Sequence, residues 1–201
     1  MKLLIVSNIF PPDYLGGYEL LCEEVCHELQ RRGHELLILT SDYTVEPPGV
    51  DPDASVQETS KADSSDRGLL IDRRLKLFLP FGEKAGYSFR IKKWNAAMHN
   101  YKICRNVIDE FQPDRIFIWS LLRLMPGPAR AAEESGIPLF YTFNDANIAQ
   151  LKASPWRLSP KGILTALLDR TIFNVNTTRG LRFQNSTCIS HSLKNELLKA
   201  G

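Results

Sequence analysis

The chain has 201 residues, with 25 Lys and Arg against 23 Asp and Glu and a formal net charge of +2. A chain of this length forms one substantial domain or two small ones, and it buries enough surface to need no covalent staples. The charge is too balanced for a dedicated nucleic-acid-binding protein, which carries a strong basic excess. No apolar run reaches the length of a signal-peptide core or a bilayer span, so we predict a cytoplasmic protein.

The cysteines do not indicate a metal or redox site. Cys22, Cys26, Cys104 and Cys188 form no CxxC pair and have no histidines at the spacing of a zinc site. Cys22 and Cys26 lie one turn apart on a predicted helix, which is typical of core positions. We predict buried structural thiols and no metal.

The first 45 residues predict a strand, a helix and a second strand. The apolar run Lys2–Val6 is typical of a strand buried on both faces of a parallel sheet. Gly33 then ends the helix, and Glu35–Thr40 is the next apolar strand. The helix is predicted from apolar residues at helical spacing, which are Tyr18, Leu21, Cys22, Val25 and Leu29.

Strands and helices continue to alternate along the rest of the chain. Val45–Arg67 is predicted as a long polar loop, and residues 68–80 as a strand pair or an edge strand, with Leu75, Leu77 and Leu79 alternating with other side chains. This alternation predicts an α/β fold with a doubly wound parallel sheet, and a mixed α+β domain is the alternative. The later predicted elements are helices at Ser88–Phe111, Arg130–Ser135, Pro160–Phe173 and Leu193–Lys199, and strands at Arg115–Trp119, Pro138–Phe143 and Ser186–Ser190.

Gly16 and Gly17 stand directly before the first helix, at the corner where doubly wound sheets commonly bind ligands. The free N–H groups of a helix start attract anions, and residues without Cβ let a phosphate or a sugar hydroxyl approach the backbone. The segment has neither GxGxxG nor a Walker GK[ST], which disfavours a nicotinamide-dependent dehydrogenase. The alternative is a glycine pair that serves only close packing of the helix on the sheet.

Four segments together resemble one enzyme family. "PPDYLGGYELLCEEVCHELQRRGHELLILTS" is similar to the opening of the N-terminal domain of GT-B glycosyltransferases of the retaining family 4 type. The resemblance continues, in family order, at "PDRIFIWSL" (113–121), "GIPLFYTFND" (136–145) and "CISHSLKNELLKAG" (188–201). It covers nearly the whole chain.

The resemblance implies that residues 1–201 are the Rossmann-like, acceptor-side domain of a two-domain hexosyltransferase. Such an enzyme moves a hexose from a UDP- or GDP-sugar to a hydroxyl acceptor with retention, as in polysaccharide, glycolipid or secondary-metabolite synthesis. It needs no metal and no tightly bound cofactor. Relatives carry a C-terminal domain that holds most of the nucleotide-sugar site, so we expect this chain alone to be inactive. A sugar-nucleotide epimerase of related fold and a catalytically silent sugar- or anion-binding module are the alternatives.

The resemblance also assigns residues to the cleft. Gly16 and Gly17 would lie against the donor diphosphate or its sugar. Asn144 and Asp145 follow the strand where the family commonly has His-Asp, and they are the candidate catalytic positions. Asn144 cannot titrate, so it would position rather than transfer a proton. Turn capping is the alternative for both residues.

Four further residues are candidate substrate contacts. Asp13 and Tyr14 border the glycine pair and could contact the acceptor, although they could also be simple loop residues. Trp119 and Ser120 end a strand at the same edge. A sugar ring could stack on Trp119, and the alternative is a tryptophan of the core.

A basic cluster leads into the long helix at Lys84, Arg90, Lys92 and Lys93. Its default interpretation is a solvated helix face. The alternative is an electropositive approach for a phosphorylated or lipid-linked acceptor at an anionic membrane, which would make the protein peripheral at the inner membrane.

Overall fold

Six parallel strands form a single sheet in the order β3-β2-β1-β4-β5-β6. The computed structural model describes residues 1–44, 68–78, 87–155 and 158–200. The strands are β1 (Lys2–Val6), β2 (Glu35–Ser41), β3 (Leu70–Leu75), β4 (Arg115–Ile118), β5 (Leu139–Phe143) and β6 (Ser186–Cys188). The helices are α1 (Gly17–Arg31), α2 (Tyr87–Phe111), α3 (Gly127–Glu134), α4 (Pro160–Arg170) and α5 (His191–Ala200), with 3₁₀ turns at Asn147–Gln150 and Asn174–Asn176. The predicted α/β doubly wound parallel sheet is confirmed. The predicted polar loop 45–67 lies outside the described residues.

The central strands are apolar on both faces because helices cover both faces of the sheet. On one face, β1 contributes Leu4 and Val6 to a cluster that includes Cys104 of α2 and the alanines of α3. On the other face, Ile5 of β1 packs with Cys22 and Cys26 of α1. Alternate residues of a strand point to opposite faces, so β1 belongs to both halves of the core.

Helix α1 follows the predicted pattern with one exception. Cys22 and Cys26 are buried as predicted, but Leu21 is 47% exposed, so its place in the buried stripe is wrong. Successive helical residues are turned about 100° apart, which carries Leu21 to the edge of the stripe that is centred on its neighbour. Gly33 ends the helix in the left-handed region at φ +82° and donates its N–H to Gln30.

The long helix α2 packs closely on α3, and a glycine makes this contact possible. A Cβ on Gly127 would lie 2.2 Å from the Ala97 carbonyl oxygen and 2.9 Å from the Tyr101 nitrogen. Both are backbone atoms of α2, so they cannot turn aside as a side chain could. The sequence predicted a helix at Ser88–Phe111 but gave no signal for this contact.

Strand β3 is the edge strand that the sequence offered as one of two possibilities. It occupies Leu70–Leu75, before most of the alternating stretch from which it was predicted. Leu75 alone of that stretch lies in the strand and is buried. Phe78, which follows the strand, lines a cleft described below.

Candidate functional site at the carboxyl edge of the sheet

The candidate residues gather where the strand order changes direction. Strand β1 pairs with β2 on one side and with β4 on the other, so the chain turns to opposite halves of the sheet from this point. Doubly wound sheets bind ligands in the crevice beyond the carboxyl ends of such strands. The segments that follow β1, β4 and β5 meet at this edge.

Gly16 and Gly17 are exposed at the tip of α1, where Gly16 is the N-cap and Gly17 the first helical residue. Gly16 has an extended backbone with φ −170°, which any residue can adopt. A Cβ on Gly17 would meet no atom within 4 Å, and a Cβ on Gly16 would meet only the Glu19 carboxylate at 4.0 Å. Neither the conformation nor helix–sheet packing therefore requires glycine here. The missing side chains leave open space in front of the helix.

Glu19 places a carboxylate at the same helix tip, and the sequence analysis missed it. Its side chain is 5% exposed, and Oε2 accepts a hydrogen bond of 3.0 Å from the Gly16 N–H. This is one of the two hydrogen bonds of a capping box. The other one cannot form, because Gly16 has no side chain. One of the donors at the tip is thus already used. An external anion would meet the N–H groups that follow, those of Gly17 and Tyr18, which have no intrahelical acceptor.

Arg73 of β3 holds the segment that leads to the glycine pair. Its guanidinium donates to the carbonyl oxygen of Phe10 at 3.0 Å and also to that of Pro11. These carbonyls lie in the segment after β1, in which the Pro11–Pro12 peptide bond is cis. Because Arg73 and Pro11 are 62 residues apart in sequence, no local pattern could indicate this contact.

Tyr18 ties the first turn of α1 to the ends of β4 and β5. Its hydroxyl donates to the Trp119 carbonyl oxygen at 2.7 Å and lies 3.2 Å from Thr142 Oγ1. In return, Trp119 Nε1 donates to the Tyr18 carbonyl oxygen at 3.1 Å, and the two rings are 5.1 Å apart. Burial, with smaller contributions from nearby acidic groups that include Asp145, raises the pKa of Tyr18 to about 12. The Tyr18 hydroxyl therefore stays protonated and donates its hydrogen bond to the Trp119 carbonyl oxygen.

A cleft of about 500 Å³ opens beside this tyrosine, and we name it the carboxyl-edge cleft. Thr142 links the two, because it lines the cleft and contacts Tyr18. The wall is formed by α2, the segment after β4, the end of β5 and the 3₁₀ turn that follows. Its lining residues are Phe78, Phe89, Lys93, Leu121, Leu122, Arg123, Met125, Thr142, Phe143, Asn144, Asp145, Asn147, Ile148, Gln150 and Leu151.

The structure places both candidate catalytic residues on this cleft. Asn144 and Asp145 line it together at the end of β5. Asp145 also caps the following turn, since its Oδ1 accepts a hydrogen bond of 2.7 Å from the Asn147 N–H. The two interpretations of Asp145 are compatible, because a carboxylate has further lone pairs that can face the cleft.

The other predicted contacts lie around the cleft rather than in it. Trp119 is 6% exposed and packs against Tyr18 and Phe117, so it has a packing role, and a sugar ring stacked on it stays a prediction. Ser120 is buried, and its Oγ accepts a 3.3 Å hydrogen bond from the Leu122 N–H. Tyr14 is 50% exposed on the segment before α1, near the half-buried Asp13.

The basic cluster before and within α2 does not form a uniform solvated face. Arg90 pairs with Asp169 and lies over the Phe173 ring at 5.0 Å. Lys93 faces the carboxyl-edge cleft, where burial lowers the pKa of its ammonium group. Lys92 is exposed, and Lys84 lies outside the described residues.

Two kinds of feature are absent from the described ranges, a metal-binding cluster and a membrane-spanning helix. No group of three His, Cys, Asp or Glu side chains is arranged to hold a metal ion. No helix in those ranges combines the length and the hydropathy needed to cross a membrane.

A family model matches almost the whole chain. The model is described as Glycosyltransferase Family 4 and matches residues 15–201. Among curated proteins, none matches this sequence.

Solved structures give distant matches. The glycosyltransferase SsfS6 from Streptomyces sp. SF2575 is 14% identical with a TM-score of 0.42, and the match covers 94% of this chain and 50% of that one. The lipopolysaccharide outer core galactosyltransferase WaaB is 11% identical with a TM-score of 0.42, covering 93% and 44%. The spinosyn rhamnosyltransferase SpnG, solved with thymidine diphosphate, is 16% identical with a TM-score of 0.36, covering 94% and 45%. The chain thus spans about half the length of these structures, and likeness at this level does not bear on function.

Proposed function

The chain belongs to glycosyltransferase family 4, and from this premise we propose that it is the acceptor-side domain of a two-domain hexosyltransferase. The complete enzyme moves a hexose from a UDP- or GDP-sugar to a hydroxyl group with retention at the anomeric carbon. The observation that carries the proposal is the family match over residues 15–201. The open helix tip and the adjacent cleft are what such an activity needs from this domain.

The helix tip supports the donor half of the proposal. A nucleotide sugar leaves a diphosphate whose negative charge grows as the glycosidic bond breaks. The N–H groups after Gly16 lie at the positive end of α1, which favours an anion by about 0.3–2 kcal/mol, and the Glu19 carboxylate at the same tip opposes it. This contribution is modest, so the diphosphate needs further positive groups, which we assign to a second domain.

The carboxyl-edge cleft supports the acceptor half. It adjoins the tip through Tyr18 and Thr142, and Asn144 and Asp145 line it. We assign Asn144 to positioning the sugar by hydrogen bonds and Asp145 to contact with a sugar hydroxyl. Closure of two domains over these residues would exclude water, so that transfer is faster than hydrolysis.

The activity is tested by incubating the protein with UDP- and GDP-sugars and hydroxyl acceptors, with products identified by mass spectrometry. We expect no turnover from the 201 residues alone. We expect a glycoside of retained anomeric configuration, seen by NMR, from a longer protein in which a second domain is joined to them. Transfer by the isolated chain would contradict the two-domain proposal. Epimerised sugar nucleotide in place of glycoside would identify an epimerase.

A further inference from the structure

Lys93 is a partly buried cation on the wall of the carboxyl-edge cleft. It lies in the second turn of α2 and lines the cleft beside Phe89, whose ring meets that of Phe78 edge-on at 5.3 Å. Removal from water lowers the pKa of the Lys93 ammonium. A cation in such surroundings is normally paired with an anion, because burial without one is costly.

The carboxylate whose charge acts on Lys93, that of Asp169, already has other partners. Asp169 pairs with Arg90 through Oδ1 and accepts a 3.0 Å hydrogen bond from the Ser154 N–H through Oδ2. Its charge favours the protonated form of Lys93, and the charge of Arg90 opposes it. Within the described residues, no carboxylate oxygen lies within 4.0 Å of the Lys93 ammonium.

Cationic side chains outnumber acidic ones among the described residues that line the cleft. Lys93 and Arg123 are its cationic side chains, and Asp145 is its one acidic side chain among the described residues. One carboxylate oxygen of Asp145 accepts the hydrogen bond from the Asn147 N–H. The remaining wall is mainly apolar and includes Phe78, Phe89, Leu121, Leu122, Met125 and Leu151. Such a surface fits a ligand with an apolar or ring-shaped body and one oxyanion.

We propose that the acceptor bound in the carboxyl-edge cleft is acidic, and that Lys93 is the cationic partner of its oxyanion, a phosphate or a carboxylate. This inference rests on the proposed transferase function and specifies its acceptor class. The acceptor hydroxyl then faces Asn144 and Asp145 at the end of β5, while Lys93 of α2 holds the oxyanion. Arg90, which pairs with Asp169, fixes the local charge balance and does not bind the acceptor.

The probe pair for the test is phenyl phosphate and phenyl glucoside, which share an aromatic body and differ in charge. Binding to the ¹⁵N-labelled chain is followed by NMR shifts of amides along the cleft. We expect phenyl phosphate to bind more tightly than phenyl glucoside. Lys93→Gln should weaken phenyl phosphate about tenfold, the effect of losing one charge-assisted contact, and leave phenyl glucoside unchanged.

Two matched variants separate charge from general disturbance of the helix. Lys93→Arg keeps the cation, and Lys92→Gln removes a charge from the exposed neighbouring position, so both should bind phenyl phosphate within about twofold of the parent. Equal affinity of the parent for both probes, or unchanged phosphate binding by Lys93→Gln, would overturn the proposal. The first comparison needs no variant, so it decides even if Lys93→Gln does not fold.

Further titrations identify the source of the oxyanion. They also distinguish failure of the acidic-acceptor proposal from failure of the transferase proposal. Benzoate in place of phenyl phosphate distinguishes carboxylate from phosphate. Vesicles with phosphatidic acid that compete with phenyl phosphate, where neutral vesicles do not, indicate a lipid headgroup. If UDP shifts the amide signal of Gly17 but phenyl phosphate does not bind, the proposal of an acidic acceptor is overturned and the transferase proposal stands. If UDP instead shifts the amides around Lys93, the cleft binds the donor, and the proposal of an acidic acceptor is overturned.

Discussion

Two glycines of this chain have opposite surroundings, although each starts a helix. Gly17 begins α1 with open space around its Cα, and Gly127 begins α3 against the backbone of α2. The first glycine leaves room for something outside the chain, and the second is needed by the fold. The sequence did not indicate this contrast, because it put Gly17 at a helix start but left Gly127 before the predicted helix Arg130–Ser135.

This contrast predicts opposite effects of alanine on stability. Gly127→Ala must push α3 from α2, which should lower the free energy of unfolding by roughly 1–3 kcal/mol. Gly17→Ala meets no atom and should change it by about 0.5 kcal/mol or less, in the stabilising direction. Urea denaturation of both variants measures the difference. A larger loss for Gly17→Ala would mean that the helix tip is packed rather than open.

Tyr18 predicts a stability change at alkaline pH. Folding raises its pKa from 10.0 to about 12, so the unfolded chain loses the proton first as the pH rises. This contribution to stability is therefore complete below pH 10 and is lost between pH 10 and 12. The free energy of unfolding should fall less steeply in that window for Tyr18→Phe than for the parent. Identical slopes would show that the hydroxyl is not buried as described.

At the scale of elements, α1 depends on an internal cap. The Glu19 carboxylate satisfies the Gly16 N–H and carries its charge near the positive end of the helix. Glu19→Ala should destabilise the protein by about 1 kcal/mol. Glu24→Ala, at an exposed position of the same helix, is the matched control and should have little effect. Thermal unfolding measures both variants. An equal loss of stability in the two would mean that the Glu19 cap does not stabilise the protein.

Periodicity predicted the elements well where a single buried stripe or a wholly apolar strand dominates. The helices α1 and α2 and the strands β1, β2, β4 and β5 lie within a few residues of their predicted bounds. Boundaries were less accurate where the pattern is weak, as for β3, which ends at Leu75 before most of the alternating segment. An edge strand is covered on one side only, so its sequence is under a weaker constraint.

The contacts that shape the site escaped sequence reasoning because they join distant parts of the chain. Tyr18 reaches Trp119 across 101 residues and Thr142 across 124. Glu19 is the exception, since a glutamate three residues after an N-cap is a recognised local signal. The sequence placed Gly16 and Gly17 at the corner where doubly wound sheets bind ligands, and the family resemblance assigned Asn144 and Asp145 to the same cleft.

At the scale of the whole molecule, the chain presents a helix tip and a cleft side by side at the carboxyl edge of one sheet. The tip offers backbone N–H groups, and the cleft offers Asn144, Asp145 and a cation. This division matches a reaction with an anionic donor and a separate acceptor. Both surfaces are open in the described structure, which is what the second domain that we propose would need.

The most direct test of the central claim is an NMR titration of the ¹⁵N-labelled chain with uridine, UMP and UDP, repeated with the guanosine series. We expect saturable shifts at the amides of Gly17 and Tyr18, with an affinity that rises with each phosphate and weakens in Gly17→Ala. Shifts confined to other parts of the chain, or affinity that is independent of the phosphates, would contradict a diphosphate seat at the tip of α1.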